Sequence, residues 1–324
     1  MVNQGLLKTL TECEYPAEFL VARLLGKKSI LFRNWEFLVA SSDRLQSLQN
    51  TPFYPYLKKY GTSGIWRFLQ DEHLWVYSRM NPYLRKTFIP YFVYHELNTL
   101  LICLRFLYSK KEIESVQQKL RTSLLHYDIQ KILISGLDFP GTLLALESRL
   151  CKQYELFKGL GELYEQKGIA GLEIFLRDCF FTILISQKQP TMLKHFMQYL
   201  IDFHNCMFLA KTLRWQTETE PEIISGGTIP GERFRRAYFR KDMTPVLKFL
   251  HLDSATESAA EMQKLEISLL ISITRKLKNC SYQRTVVGDI LFYLWEQYRY
   301  TRNISMVLNT ILLDDVIVLE KIVA

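Results

Sequence analysis

An all-α fold is what this sequence predicts, and three observations predict it. Apolar residues recur at steps of three and four through most of the chain, which gathers each run onto one helix face. Strict apolar–polar alternation, the mark of a half-buried strand, is scarce. Turn-formers are also few, with 14 glycines and 10 prolines in 324 residues; a sandwich or barrel that reverses direction every ten residues or so needs more. A chain of this length is about twice a typical single domain and points to more than one folding unit. With 48% hydrophobic and 23% charged residues, it can fill a sizeable core and has little room for long disordered segments.

The elements follow in order. Asn50 to Gly64 collects Pro52, Pro55, Gly61 and Gly64 and reads as a loop. Helical periodicity then runs from Ile65 to Tyr77 and from Phe88 to Leu107, with Pro90 the only proline inside any of these runs. Pro140 and Gly141 mark a boundary within Leu137 to Thr142. After it, Leu143, Leu146, Leu150, Tyr154 and Phe157 share one face and predict a single helix over 143–157. Two further runs extend from Leu172 to Ile185 and from Met192 to Leu213. Thr217 to Gly231 is the strongest break, and Met262 to Leu277 and Ile290 to Leu313 complete the series.

No stretch reaches the ~18 apolar residues of a membrane-spanning helix, because Glu96, Asp178 and Asp289 interrupt the most apolar windows. The N-terminus lacks a basic start followed by an apolar run, so no cleaved secretion signal is expected. Cys13, Cys103, Cys151, Cys179, Cys206 and Cys280 form no CxxC pair. Neither a zinc knuckle nor a disulfide framework is indicated, and the thiols read as reduced in a cytoplasmic protein.

Catalytic motifs fail one by one. Leu24 to Ser29 resembles the end of a phosphate-binding loop, but Val21 holds the upstream glycine position and Lys28 separates Gly26-Lys27 from the hydroxyl. His95-Glu96 opens like a zinc helix, yet Thr99 stands where the second imidazole is needed. Asp314-Asp315 lacks a third carboxylate, since Val318 takes its place. No Ser, His and Asp are grouped as a triad. No catalytic, cofactor-binding or metal-ligating set emerges, which argues against an enzyme.

Charge is more informative. Lys and Arg number 41 against 33 Asp and Glu, a net charge of +8. Arg233, Arg235, Arg236, Arg240 and Lys241 interleave with Phe234, Tyr238 and Phe239. Such a segment can dock an acidic protein face, anionic headgroups or single-stranded nucleic acid, or it is an amphipathic helix with its aromatics inward and its arginines solvated.

An internal repeat gives the strongest organisation. Asn98, Asn205 and Asn303 each precede an apolar run, at intervals of about one hundred residues. The three fall in segments 1–113, 114–225 and 226–324, read as three similar helical units. An amide inside a helix is mildly unfavourable unless it bonds to a neighbouring element, so these residues are expected to fix packing.

Several stretches, in order, resemble the C-type stalk component of the archaeal and bacterial vacuolar-type (V/A-type) ATPases, the counterpart of the d-type component in the eukaryotic enzyme. They are Ala22, Arg23, Ser29 and Leu31; Leu48, Thr51 and Tyr54; Leu146, Glu147, Leu150 and Tyr154; Asp202 and Asn205 with the later Gly226 and Gly227; and Tyr293, Arg302 and Asn303. The chain departs from the family at Tyr298 and Tyr300, where glutamates are usual, and at Ser305, Leu104 and Lys211, where arginine is. The resemblance implies three helical units about a pseudo-threefold axis forming a funnel. It also implies a non-catalytic coupling role between the membrane rotor ring, of c or K type, and the central-stalk proteins of D and F type. The protein would be cytoplasmic and peripheral to the membrane through the ring, with no cofactor, no small-molecule substrate and no role for nucleic acid. A helical-repeat scaffold that binds RNA or protein through 231–241 is the competing expectation.

Overall fold

The computed structural model describes residues 5–10, 14–29, 31, 34–217, 220–252, 262–282, 284–310 and 315–323. Cys13, Leu313, Asp314 and the side chain of Cys280 lie outside the described residues. The fold is all-α. Its helices are α1 (Ala17–Ser29), α2 (Trp35–Ala40), α3 (Tyr54–Tyr60), α4 (Gly64–Arg79), α5 (Pro82–Tyr108), α6 (Ile113–Leu120), α7 (Tyr127–Leu133) and α8 (Phe139–Cys151). They continue with α9 (Leu160–Ser186), α10 (Thr191–Trp215), α11 (Gly231–Arg240), α12 (Thr244–Phe249), α13 (Met262–Ser281), α14 (Val286–Asn309) and α15 (Asp315–Glu320). Among the described residues there is no strand, only an isolated antiparallel bridge between Leu7 and Leu125.

Two compact units result. The first comprises Met1–Cys13, Pro82–Ile201 and Ile224–Gly227. Its axis is α5, which packs along α6, α8 and α9 and continues through Pro90 because Phe88, Ile89, Tyr91 and Phe92 on either side are all buried. Tyr91 stacks on Phe196 with ring centroids 5.9 Å apart. Glu96 is buried on α5 and accepts the Ser123 hydroxyl and the Leu124 amide, at 2.5 and 2.7 Å. Burial pushes its carboxyl above the usual range, and those two hydrogen bonds oppose the rise.

The single helix expected over 143–157 is two elements. Helix α8 stops at Cys151, where the Leu150 carbonyl accepts both the Gln153 and Tyr154 amides, and Tyr154 is extended. Phe157 is still fully buried, on a separate 3-10 turn. Glu147 explains the break. Its carboxylate accepts the Gly159 and Leu160 amides, each at 2.9 Å, so a side chain of α8 caps the start of α9 and turns the chain back. Helix α9 itself kinks at Gly168, whose φ of 65° is open to glycine at little cost.

The second unit comprises Glu14–Asn81, Asp202–Ile223 and Thr228–Ala324. Here α14 packs against α1, α4 and α13. Leu38, Leu48, Phe53, Leu57 and Ile65 meet Ile304, Val307, Leu308 and Val318 in one apolar cluster. The Pro- and Gly-rich segment expected as a loop holds α3, because Pro55 falls in a first helical turn, where its missing amide hydrogen costs nothing.

Two polar networks fasten this unit. Glu72, 6% exposed, accepts Lys27 Nζ at 2.7 Å and the Tyr293 hydroxyl at 2.7 Å. Arg44, 8% exposed, donates to the Val39 carbonyl at 3.1 Å, the Val307 carbonyl at 2.9 Å and Asp315 at 3.1 Å. Both tie early helices to the C-terminal ones.

Candidate functional site

The basic segment folds as α11. Phe234 and Ala237, one turn apart, are buried and pack with Leu209, Val246, Leu247 and Leu269. That face fixes the helix on the body, and the arginines are carried on the others. Arg235 and Arg236 have side chains 65% and 71% exposed, paired at 3.0 Å with Glu220 and at 3.1 Å with Glu232. Exposed pairs of this kind are worth only about 0–1 kcal/mol, so another carboxylate can exchange for them. The Arg233 guanidinium lies 4.7 Å from the Phe249 ring centroid. The aromatics divide: Phe234 is in the core, the Tyr238 hydroxyl donates to the Thr217 carbonyl at 3.2 Å, and Phe239 is 71% exposed. Lys241 ends the helix in the left-handed region at φ 52°, where the Asp242 amide reaches the Ala237 carbonyl at 3.0 Å.

What aims this helix is a buried carboxylate just upstream in space. Asp202, 2% exposed on α10, accepts the Thr228 amide at 3.0 Å, the Ile229 amide at 3.1 Å and the Thr228 hydroxyl. Burial raises its pKa, and these three donors together with the Lys276 charge oppose the rise. The stretch of chain entering α11 is therefore held to α10 at two consecutive amides. Within the first unit, Gly226 takes φ 94°, and a Cβ there would sit 2.8 Å from Ile185 Cδ1. Gly227 follows it, half-buried.

The Asn set occupies three long helices. Asn303, 1% exposed on α14, donates to the Val323 carbonyl at 2.9 Å and accepts the Val323 amide at 3.1 Å. Its amide thus stands in for a backbone partner of Val323. Arg302 beside it donates to Glu266 at 3.1 Å and to the Lys321 carbonyl at 3.3 Å. Asn98 on α5 is half-buried and accepts from Arg177 at 3.3 Å. Asn205 on α10 is 2% exposed. Arg23, expected among the packing residues, is exposed on α1. Leu20 and Leu24 are the buried positions of that helix, and residue 23, about 80° from the middle of their face, stands at its edge.

The segment resembling a phosphate loop is the end of α1, with Ser29 Oγ donating to the Gly26 carbonyl at 2.7 Å and the Lys27 ammonium on Glu72 and 3.8 Å from the Trp75 ring centroid. Its backbone is helical, not the open turn of amides that cradles a phosphate. His95 lies against Tyr91, ring centroids 4.5 Å apart. Among the described residues no group of three or more His, Cys, Asp or Glu is arranged to hold a metal ion, and no helix is long and apolar enough to cross a membrane. Buried Cys206 has its thiol pushed up by desolvation, as do Cys103 and Cys179, the latter two to about 12.

The residues assembled here are thus an exposed basic helix face, a carboxylate clamp on the chain entering that helix, and the Asn303 amide that holds Val323. Sequence reading missed the clamp's partners, although Asp202 followed by two glycines and a threonine was the available sign. No family model matches this sequence, and no curated protein does.

Proposed function

We propose that this chain is a non-catalytic socket in the central stalk of a vacuolar/archaeal-type rotary ATPase, equivalent to its C-type component and to the d-type component of the eukaryotic enzyme. It sits on the cytoplasmic mouth of the c- or K-type rotor ring and receives the foot of the D- and F-type stalk proteins. Torque then passes through it between nucleotide turnover and the movement of protons or sodium ions. One observation carries the reading. Asn98, Asn205 and Asn303 each lie well inside a long helix, α5, α10 and α14, and each of these follows another long helix, α4, α9 and α13, across a short link. One such pair falls in each of the segments 1–113, 114–225 and 226–324, which the reading takes as three related units about a pseudo-threefold axis forming a funnel.

The physical demands of the role agree with the chain. Torque needs a body that deforms little, and close-packed helices provide it. The role needs no cofactor, no small-molecule substrate and no membrane span of its own. Docking falls to α11, where Arg233, Arg235, Arg236, Arg240 and Lys241 steer an acidic partner surface.

Binding of the purified chain to solubilised rotor ring and to stalk proteins tests the reading. Charge reversal at Arg235 and Arg236 is expected to slow association at low salt and to leave the unfolding temperature unchanged. Retention on single-stranded RNA that weakens steeply with salt, with no binding to ring or stalk, favours instead a helical-repeat scaffold acting through 231–241.

A further inference from the structure

Away from α11, the second unit holds a cavity of about 240 Å³ between α1, the end of α13 and the first half of α14. Its wall is apolar, with Leu24 on one side and Phe292 on the other. Sites that enclose a cofactor or a drug-sized molecule run from about 300 to 1,000 Å³, so this volume suits one large side chain better. Part of the opening is apolar as well. Leu25 is 55% exposed and Tyr282 is 70% exposed, and both line it.

Two lysines border this apolar notch. Lys278, exposed on the last turn of α13, lines the opening. The Lys28 ammonium lies 3.1 Å from Glu296 and 4.1 Å from the Phe292 ring centroid. Among the described residues, Asp289 is the one carboxylate in the lining. Burial raises its pKa, and the charges of Lys28 and Arg284 oppose the rise without cancelling it. The lining thus sets two lysines, Lys28 and Lys278, against one carboxylate.

We propose that this notch docks a segment of a partner protein that inserts one large apolar side chain and sets a carboxylate against Lys278. Anchors of that kind carry much of the energy of an interface, and the flanking charges set encounter and register. The site is separate from α11 and stands whether or not the chain is a rotary-ATPase socket.

Capped pentapeptides test it on the full chain. Ac-Glu-Glu-Trp-Glu-Glu-NH2 is compared by methyl NMR with the same peptide carrying Ala for Trp and with one carrying Lys for every Glu. The acidic Trp peptide is expected to bind saturably and to shift the methyls of Leu24 and Leu25, with both control peptides at least fivefold weaker. Lys278→Glu and Leu25→Ala, both at exposed positions, are each expected to weaken it at least threefold with an unchanged unfolding temperature. No saturable shift overturns the proposal, as does equal binding of the Ala peptide or undiminished affinity in Lys278→Glu. Free indole-3-propionate that binds as tightly as the Trp peptide also overturns it, since the cavity would then take a small molecule.

Discussion

Replacing Asp202 with alanine strips the clamp that positions α11, and the structure sets the size of the effect. Two backbone amides, those of Thr228 and Ile229, and the Thr228 hydroxyl lose their acceptor. A buried donor left unsatisfied costs about 1–3 kcal/mol. The hydroxyl can rotate to another partner, so the two amides dominate. Against their loss stands the relief of a desolvated carboxylate, whose raised pKa records that its charge is penalised by burial. The net destabilisation is about 2–4 kcal/mol. Asp202→Asn is expected to fall between alanine and the native protein, because its amide oxygen keeps one donor while its nitrogen opposes another. The pH dependence adds a sign. A carboxyl whose folded pKa is raised above the unfolded value near 3.9 binds its proton more tightly when folded. Its contribution therefore declines as pH rises from about 3.9 through the folded value, and that slope is absent from Asp202→Ala. Urea unfolding at several pH values, with hydrogen exchange at Thr228 and Ile229, measures both. Stability within about 0.5 kcal/mol of native, or unchanged exchange at those two amides, refutes the clamp.

Other predictions follow from the same arithmetic. His73 is held neutral by burial, its pKa lowered to about 3. The unfolded chain takes up a proton that the folded one refuses, so acidification from about 6.5 downward costs ~3–5 kcal/mol by pH 3. His73→Gln is expected to flatten that part of a pH–stability curve. Asn303→Ala removes both hydrogen bonds to Val323 and is expected to cost about 2–3 kcal/mol in thermal unfolding, whereas Asn98→Ala, half-buried with one long contact, costs under about 1 kcal/mol. Lys27→Met leaves buried Glu72 with the Tyr293 hydroxyl but without its charge partner. Because Lys27 is a third exposed, the loss is about 1–2 kcal/mol rather than the 3–5 of a fully buried pair. The pure chain is expected to show no ATP hydrolysis, and steady turnover abolished by Lys27→Ala would contradict that.

Long helices were legible because their apolar period repeats several times. The runs starting at Ile65, Met192 and Met262 fall within α4, α10 and α13 with ends close to those observed. Short helices such as α3, α7 and α12 complete two turns or fewer and leave no period to detect. Proline was ambiguous for a physical reason: Pro55 breaks a helix from inside but starts one from its first turn. Over 143–157 the three- and four-residue steps were real, and Phe157 is buried, yet Glu147 capping α9 ended the helix at Cys151. The basic face of α11 could be read from spacing, since Phe234 and Ala237 set its inner side. The networks around Glu72 and Arg44 could not, because their partners are as much as 221 and 271 residues away. Periodicity describes a helix and its neighbours in sequence, while buried charge is matched across the fold.

Whether this chain occupies the ring–stalk junction is the claim on which the functional account depends. Its most direct measurement is purification of the tagged chain from mildly solubilised membranes of its own cells, with the co-purifying proteins identified by mass spectrometry. The account predicts recovery of the rotor-ring and central-stalk proteins in fixed ratio to the chain, with a reduced yield for the Arg235→Glu, Arg236→Glu variant. Recovery of the chain without ring or stalk proteins, from membranes that contain both, would contradict it.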